Sequence, residues 1–240
     1  MHQEIVTYGA DGLSMRSQLF FEPGAEKRPG VLVFPEAFGL GGHAIGRAQR
    51  LAEMGYVALA CDLHGDGRVI DALEPAIAAL KPLFADPSRT RARARGGLEA
   101  LVARPEVDAG RVAAIGFCFG GTMALELARG GADLAAAVGF HSGLSSEAPK
   151  GDARNIKGRV LVCIGADDPM IPAEQRAGFE KEMRDGGVDW QMHLYGKTVH
   201  SFTNQEAARR NMPDAIRYSP EADARSWAAM RELFGEVFGG

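Results

Sequence analysis

Five short apolar runs do most to limit the fold: VLVF at 31–34, VALA at 57–60, VAAI at 112–115, LAAAV at 134–138 and VLVCI at 160–164. None alternates polar with apolar residues. Runs of this length without alternation fit strands buried on both faces, as in a parallel sheet. Helical patterns lie between them. In HAIGRAQRLAEMG (43–55) apolar residues fall at 44, 45, 48, 51 and 52, and Gly55 is placed to end the helix. TMALELARGG (122–131) is apolar nearly all round and predicts a buried helix. AEQRAGFEKEMRDGG (173–187) is amphipathic, and a last helix is expected from Pro220, with Ser219 as its N-cap.

Strand alternating with helix predicts an α/β fold, with a mostly parallel central sheet and helices on both faces. The opening segment EIVTYGADGLSMRSQLFFEP reads instead as two strands around a turn at Gly9–Gly12, an antiparallel hairpin at the sheet edge. No repeat or linker breaks the chain, so one domain over 1–240 is expected. The stretch 65–95, with Pro75, Pro82 and Pro87, is the least regular and is expected to cover one side of the sheet's carboxyl edge.

The net charge of −4 argues against nucleic acid as a partner, which would need a basic face. The basic cluster RTRARAR (89–95) spaces its arginines around a helix and reads as a solvated surface. Cys61, Cys118 and Cys163 are odd in number and form no CxxC, so neither a disulfide framework nor a zinc site is expected. No apolar run approaches the length of a membrane span, and no apolar leader is visible at the N-terminus. A cytoplasmic, soluble chain is the resulting expectation. Nothing in the sequence speaks to an oligomeric state.

The segment VAAIGFCFGGTMALELA runs strand, G-x-C-x-G, helix. That is the nucleophile-elbow pattern with cysteine in place of serine. The turn is tight, and Gly116 and Gly120 lack the Cβ atoms that would collide in it. The helix that follows leaves N–H groups unpaired near the sulfur, which favours the reactive thiolate. Read alone, Cys118 is also compatible with a buried structural thiol. A nucleophile needs a base, and the base an orienting acid. VLVCIGADDPMIP offers Asp167 and Asp168 in a loop after a strand, and QMHLYGKTVHSFTN offers His200. All three loops fall where strands end, the edge at which open α/β sheets bind ligands.

Taken together, FPEAFGL (34–40), GFCFGG (116–121), GADDPMIP (165–172) and VHSF (199–202) resemble the dienelactone hydrolase family of α/β-hydrolases over nearly the whole chain. The resemblance implies Cys118 as nucleophile, His200 as base and Asp168, which precedes PMIP, as the acid, with Asp167 as the alternative. It implies that Glu36 lies beside the resting cysteine and assists its activation. A carboxylate in an apolar setting there would have a raised pKa. It implies an oxyanion hole from the backbone N–H groups of Ala37 and Phe119. No cofactor and no metal follow from it.

One departure bears on substrate. Dienelactone-cleaving members hold the substrate carboxylate with arginines, one of them four residues after the histidine, where this chain has Asn204. Arg68 lies near the region of the other. A neutral ester or lactone is therefore expected, in a pocket walled by Phe38, Phe117, Phe119 and Phe202, with Asn204 at its edge. His141 is expected either in that pocket or as a plain loop histidine. A neutral phosphotriester also develops oxyanion charge when attacked, so phosphotriester hydrolysis is a possible side activity. A thioesterase or acyltransferase, and a non-catalytic thiol sensor, are the alternatives. CDLHGDG (61–67) places Asp62, His64 and Asp66 at a spacing that metals use, but reads better as a substrate-side loop with Asx turns.

Overall fold

The computed structural model describes residues 1–147 and 152–239. The strands are β1 (His2–Ala10), β2 (Leu13–Phe21), β3 (Arg28–Phe34), β4 (Val57–Ala60), β5 (Val107–Phe117), β6 (Ala136–Phe140), β7 (Arg159–Gly165) and β8 (Trp190–Tyr195). They form one eight-stranded sheet in the order β1-β2-β4-β3-β5-β6-β7-β8. β1 and β2 form an antiparallel hairpin, β2 runs antiparallel to β4, and the rest are parallel. The hairpin turns on Asp11 and Gly12, both with positive φ (49° and 72°), the left-handed pair that matches the twist of two joined strands.

Alternate residues of the apolar runs go to opposite faces. Val31 and Val33 of β3, with Ala113, Ile115 and Phe117 of β5, meet α1 (Gly42–Glu53) and α6 (Pro220–Phe238). Leu32, Phe34, Val112 and Ala114 meet α2 (Leu73–Ala85), α3 (Pro87–Val102) and α4 (Phe119–Arg129). Val160, Val162 and Ile164 of β7 meet α5 (Ala173–Gly186) on that second side. Both faces are thus covered, which is why the runs show no alternation. Ser219 caps α6 by accepting the Ala222 N–H, with Pro220 at the first helical position.

Two expectations are corrected. The stretch 65–95 is mostly helical. Pro75 falls in the first turn of α2 and Pro87 opens α3 behind the Asp86 N-cap, positions where a missing N–H costs nothing. The arginine cluster is not a solvated face. Arg89 and Arg93 both bind the Asp11 carboxylate in the hairpin turn, and Arg91 binds Glu126 and Asp152. The reason is that α3 is packed between β1 and α4, so Arg89 and Arg93 meet the hairpin turn on one side while Arg91 and Arg95 meet groups on and beside α4 on the other.

Candidate active site

β5 runs straight into α4 through Cys118, whose φ of 54° and ψ of −121° are a conformation that side chains rarely adopt. The glycines around it are sterically required. A Cβ on Gly116 would lie 2.0 Å from the Gly120 carbonyl oxygen, and one on Gly120 would lie 2.3 Å from that of Phe34. The Cys118 amide is held by the Phe140 carbonyl at 3.0 Å and by His141 Nδ1 at 3.1 Å. The thiol is partly exposed, whereas Cys61 and Cys163 are buried.

Asp168 and His200 arrive from the loops after β7 and β8. His200 Nδ1 lies 2.7 Å from Asp168 Oδ2, and Asp168 Oδ1 accepts the Met170 N–H at 2.8 Å. Both side chains are buried. Asp167 is exposed and turns away, its N–H bound to the Thr198 carbonyl. Cys118, His200, Ala37 and Phe119 all face one cavity of about 410 Å³. Phe119 is the first residue of α4, and among the described residues neither its N–H nor that of Ala37 meets an acceptor.

The dienelactone hydrolase family pattern matches residues 16–238. The chain belongs to the dienelactone hydrolase family. A solved structure described as m3DLH is 52% identical, with a TM-score of 0.94 and 98% of each chain covered. A dienelactone hydrolase-like promiscuous phosphotriesterase from metagenomic libraries is 46% identical, again with a TM-score of 0.94 and 98% coverage of both. A probable 2-oxo-3-(5-oxofuran-2-ylidene)propanoate lactonase of Bradyrhizobium sp is 26% identical, over 92% of this chain and 89% of its own. The protein is accordingly a hydrolase of ester-type bonds.

In this dienelactone hydrolase-family protein the His200 imidazole is charged. Burial opposes a charge on His200, but the neighbouring Cys118 sulfur and the Asp168 hydrogen bond outweigh it and push its pKa up to about 10. No hydrogen-bond partner of good geometry meets His200 Nε2 among the described residues. That leaves an imidazolium whose remaining N–H lies next to the Cys118 sulfur.

Glu36 is buried but stands apart from this arrangement. Its carboxylate accepts from Ser201 Oγ at 2.7 Å and from Asn204 Nδ2 at 2.5 Å, so the apolar setting expected for it is absent. It lines a separate cavity with His43 and Arg210, on the other side of the 35–39 loop. Glu36 thereby ties the loop carrying Ala37 to the loop carrying His200.

Several expected pocket residues are elsewhere. Phe117 is fully buried and packs against His43 and Phe140 on the α1 side, because successive strand residues alternate faces. Phe202 is fully buried between Tyr195 and His141. His141 is fully buried behind the cysteine, and Asn204 serves Glu36. Phe38 and Phe119 do line the cavity. Much of the remaining apolar wall, beside Met170, Ile171 and Ile216 from later loops, comes from α2 through Leu73, Ile77, Leu80 and Phe84. Their spacing of four, three and four residues in LEPAIAALKPLF is a helical stripe, and it was the available signal.

Arg68 is exposed and does not line the cavity. Among the described residues no lysine or arginine does. The Asp62 carboxylate accepts the N–H groups of Arg16, His64, Gly65 and Gly67, the Asx-type loop expected of it. Among the described residues no group of three potential metal ligands is assembled. No helix among them is long and apolar enough to cross a membrane.

Proposed function

We propose that this hydrolase cleaves neutral esters and lactones through a covalent thioester on Cys118. The observation that carries this reading is the meeting of the Cys118 thiol, the Asp168-held imidazolium of His200 and two unpaired amides in one cavity that, among the described residues, no lysine or arginine lines. The Cys118 thiolate attacks the carbonyl carbon, and the Ala37 and Phe119 N–H groups take the charge that develops on oxygen. As the tetrahedral adduct collapses, His200 gives its proton to the departing alkoxide. Neutral His200 then takes a proton from water, and the hydroxide attacks the thioester carbon. The carboxylic acid leaves, and the thiolate and imidazolium are restored.

Among the described residues the cavity has no lysine or arginine, and the His200 imidazolium is already held by Asp168, so a carboxylate brought there would shed its water for little return. The dienelactone carboxylate is therefore a poor fit. A neutral phosphotriester fits the same cavity and donors, and the 46% identical phosphotriesterase makes it the second substrate to assay. Thioester cleavage and acyl transfer use the same intermediate. One domain over 1–240 in a reducing compartment completes the reading.

Turnover of p-nitrophenyl esters by the wild-type protein and Cys118→Ala decides it. A burst of p-nitrophenol matching the enzyme concentration, lost in the variant, is the expected result. Undiminished turnover in Cys118→Ala removes the cysteine from the mechanism. Reversible peroxide modification without esterase activity points to a thiol sensor. With paraoxon, repeated turnover supports phosphotriester hydrolysis, and release of a single equivalent argues against it.

A further inference from the structure

The loop carrying Ala37 is held through three consecutive carbonyls. That of Glu36 accepts the Gly39 N–H at 3.1 Å, and that of Phe38 accepts the Ile70 N–H at 2.9 Å. Between them, the Ala37 carbonyl meets Nε2 of His64 at 2.9 Å. Of the three donors only His64 is a side chain. A carbonyl only accepts, so Nε2 carries the proton.

His64 is itself firmly placed. It is buried, its own N–H is bound by Asp62 Oδ1 at 3.0 Å, and the preceding Leu63 carbonyl is bound by Arg93 Nη1 at 2.7 Å. The two loops are in close contact. Gly39 has a φ of 92°, and a Cβ there would lie 2.6 Å from the Arg68 carbonyl oxygen and 3.0 Å from the His64 ring. His64 does not line the cavity that holds Cys118.

We infer that His64 is a positioning residue for the oxyanion donor: its Nε2–H fixes the Ala37–Phe38 peptide, the Gly39 N–H fixes the Glu36–Ala37 peptide that carries the Ala37 N–H, and the two together hold Ala37 at the cavity wall. This rests on the proposed reading of Cys118 as nucleophile with Ala37 as an oxyanion donor. A preorganised donor is worth more than a mobile one, because it need not reorient as charge appears on the substrate. Burial lowers the pKa of His64, which keeps the ring neutral with one proton to place. The CDLHGDG motif thereby acquires a task. Asp62 shapes the loop and His64 reaches from it to the peptide beside the site.

Two reactions of the same sulfur test the inference. Acylation by p-nitrophenyl butyrate needs the oxyanion donors. Alkylation by iodoacetamide, in which the thiolate displaces iodide, does not. In His64→Phe the acylation rate should fall about 30-fold while alkylation stays within about twofold of wild type. His64→Gln, whose amide nitrogen reaches the same carbonyl, should recover most of the acylation rate. The inference is overturned if His64→Phe acylates like wild type, if both reactions fall together, or if the Gln variant is no better than the Phe variant. Should His64→Phe not fold by circular dichroism, the same two rates in His64→Met decide. Failure of the underlying reading looks different, because wild type would then keep its esterase activity after complete alkylation of Cys118.

Discussion

The imidazole of His141 accepts the backbone N–H of Cys118 at Nδ1, 3.1 Å away. That amide is shared with the Phe140 carbonyl, so the strained cysteine is fixed by a three-centre bond. Accepting at Nδ1 places the His141 proton on Nε2, where Thr203 Oγ1 lies at 2.8 Å. Thr203 follows His200 by three residues, and the two imidazoles meet edge to face at 5.1 Å between centroids. His141 therefore joins the turn carrying Cys118 to the loop carrying His200. Burial, reinforced by the His200 charge, holds its pKa well below the usual value, so it remains an acceptor.

Replacing His141 should consequently disturb every reaction of the sulfur. His141→Leu removes both bonds, and a stability loss of about 1–2 kcal/mol is expected for them. Ester turnover and iodoacetamide alkylation should slow together, unlike the split expected at His64. His141→Asn keeps an acceptor close to the position of Nδ1 and should retain more of both rates. Urea unfolding and the two rate constants check this, and a Leu variant with both wild-type rates would refute it.

The charge on His200 depends first on the sulfur. Burial alone would lower its pKa, and the Cys118 and Asp168 contributions reverse the sign to reach about 10. In Cys118→Ala the first of those two contributions is gone, so the pKa should fall. Imidazole nitrogen NMR between pH 5 and about 10 reads this directly. A His200 that titrates at the same pH in both proteins would mean that the sulfur does not raise it.

The same shift has a consequence for stability. A histidine whose pKa rises from 6.5 in the unfolded chain to about 10 in the fold stabilises the fold fully below 6.5. That contribution is lost as the pH rises from 6.5 through the folded value. The stability difference between wild type and His200→Gln should therefore be largest near pH 6 and shrink toward about pH 10. Chemical unfolding of both proteins across that range measures it, and a constant difference would contradict the shift.

How legible all this was in the sequence depends on distance along the chain. The apolar runs announced a doubly covered sheet because burial on both faces removes alternation locally. Cys118, Asp168 and His200 were readable because each ends a strand within a recognisable loop. Phe117 was misplaced because adjacency to a nucleophile says nothing about which sheet face a strand residue takes. The α2 wall was obscured by its prolines, which mark helix ends as often as loops. His141 and His64 were out of reach for another reason. Each acts by meeting a backbone atom, 23 and 27 residues away, and backbone atoms leave no trace in residue identity.

The α2 wall also offers a test of substrate charge. Ile77 lines the cavity yet remains 46% exposed, so a longer polar side chain has room there. No lysine or arginine among the described residues serves that wall. Ile77→Arg introduces a guanidinium at the cavity wall with its charge still partly solvated, which spares the fold the cost of a buried cation. The variant should improve kcat/KM for a monoester of a dicarboxylic acid relative to the neutral ester of equal length. A change in that ratio of about tenfold is expected for one new, partly exposed charge contact. Phe84→Ala, which removes the ring set edge-on against Phe119 at 4.9 Å, should instead weaken aryl esters without favouring either charge. If Ile77→Arg leaves the charge preference untouched, α2 does not contact the part of the substrate that varies.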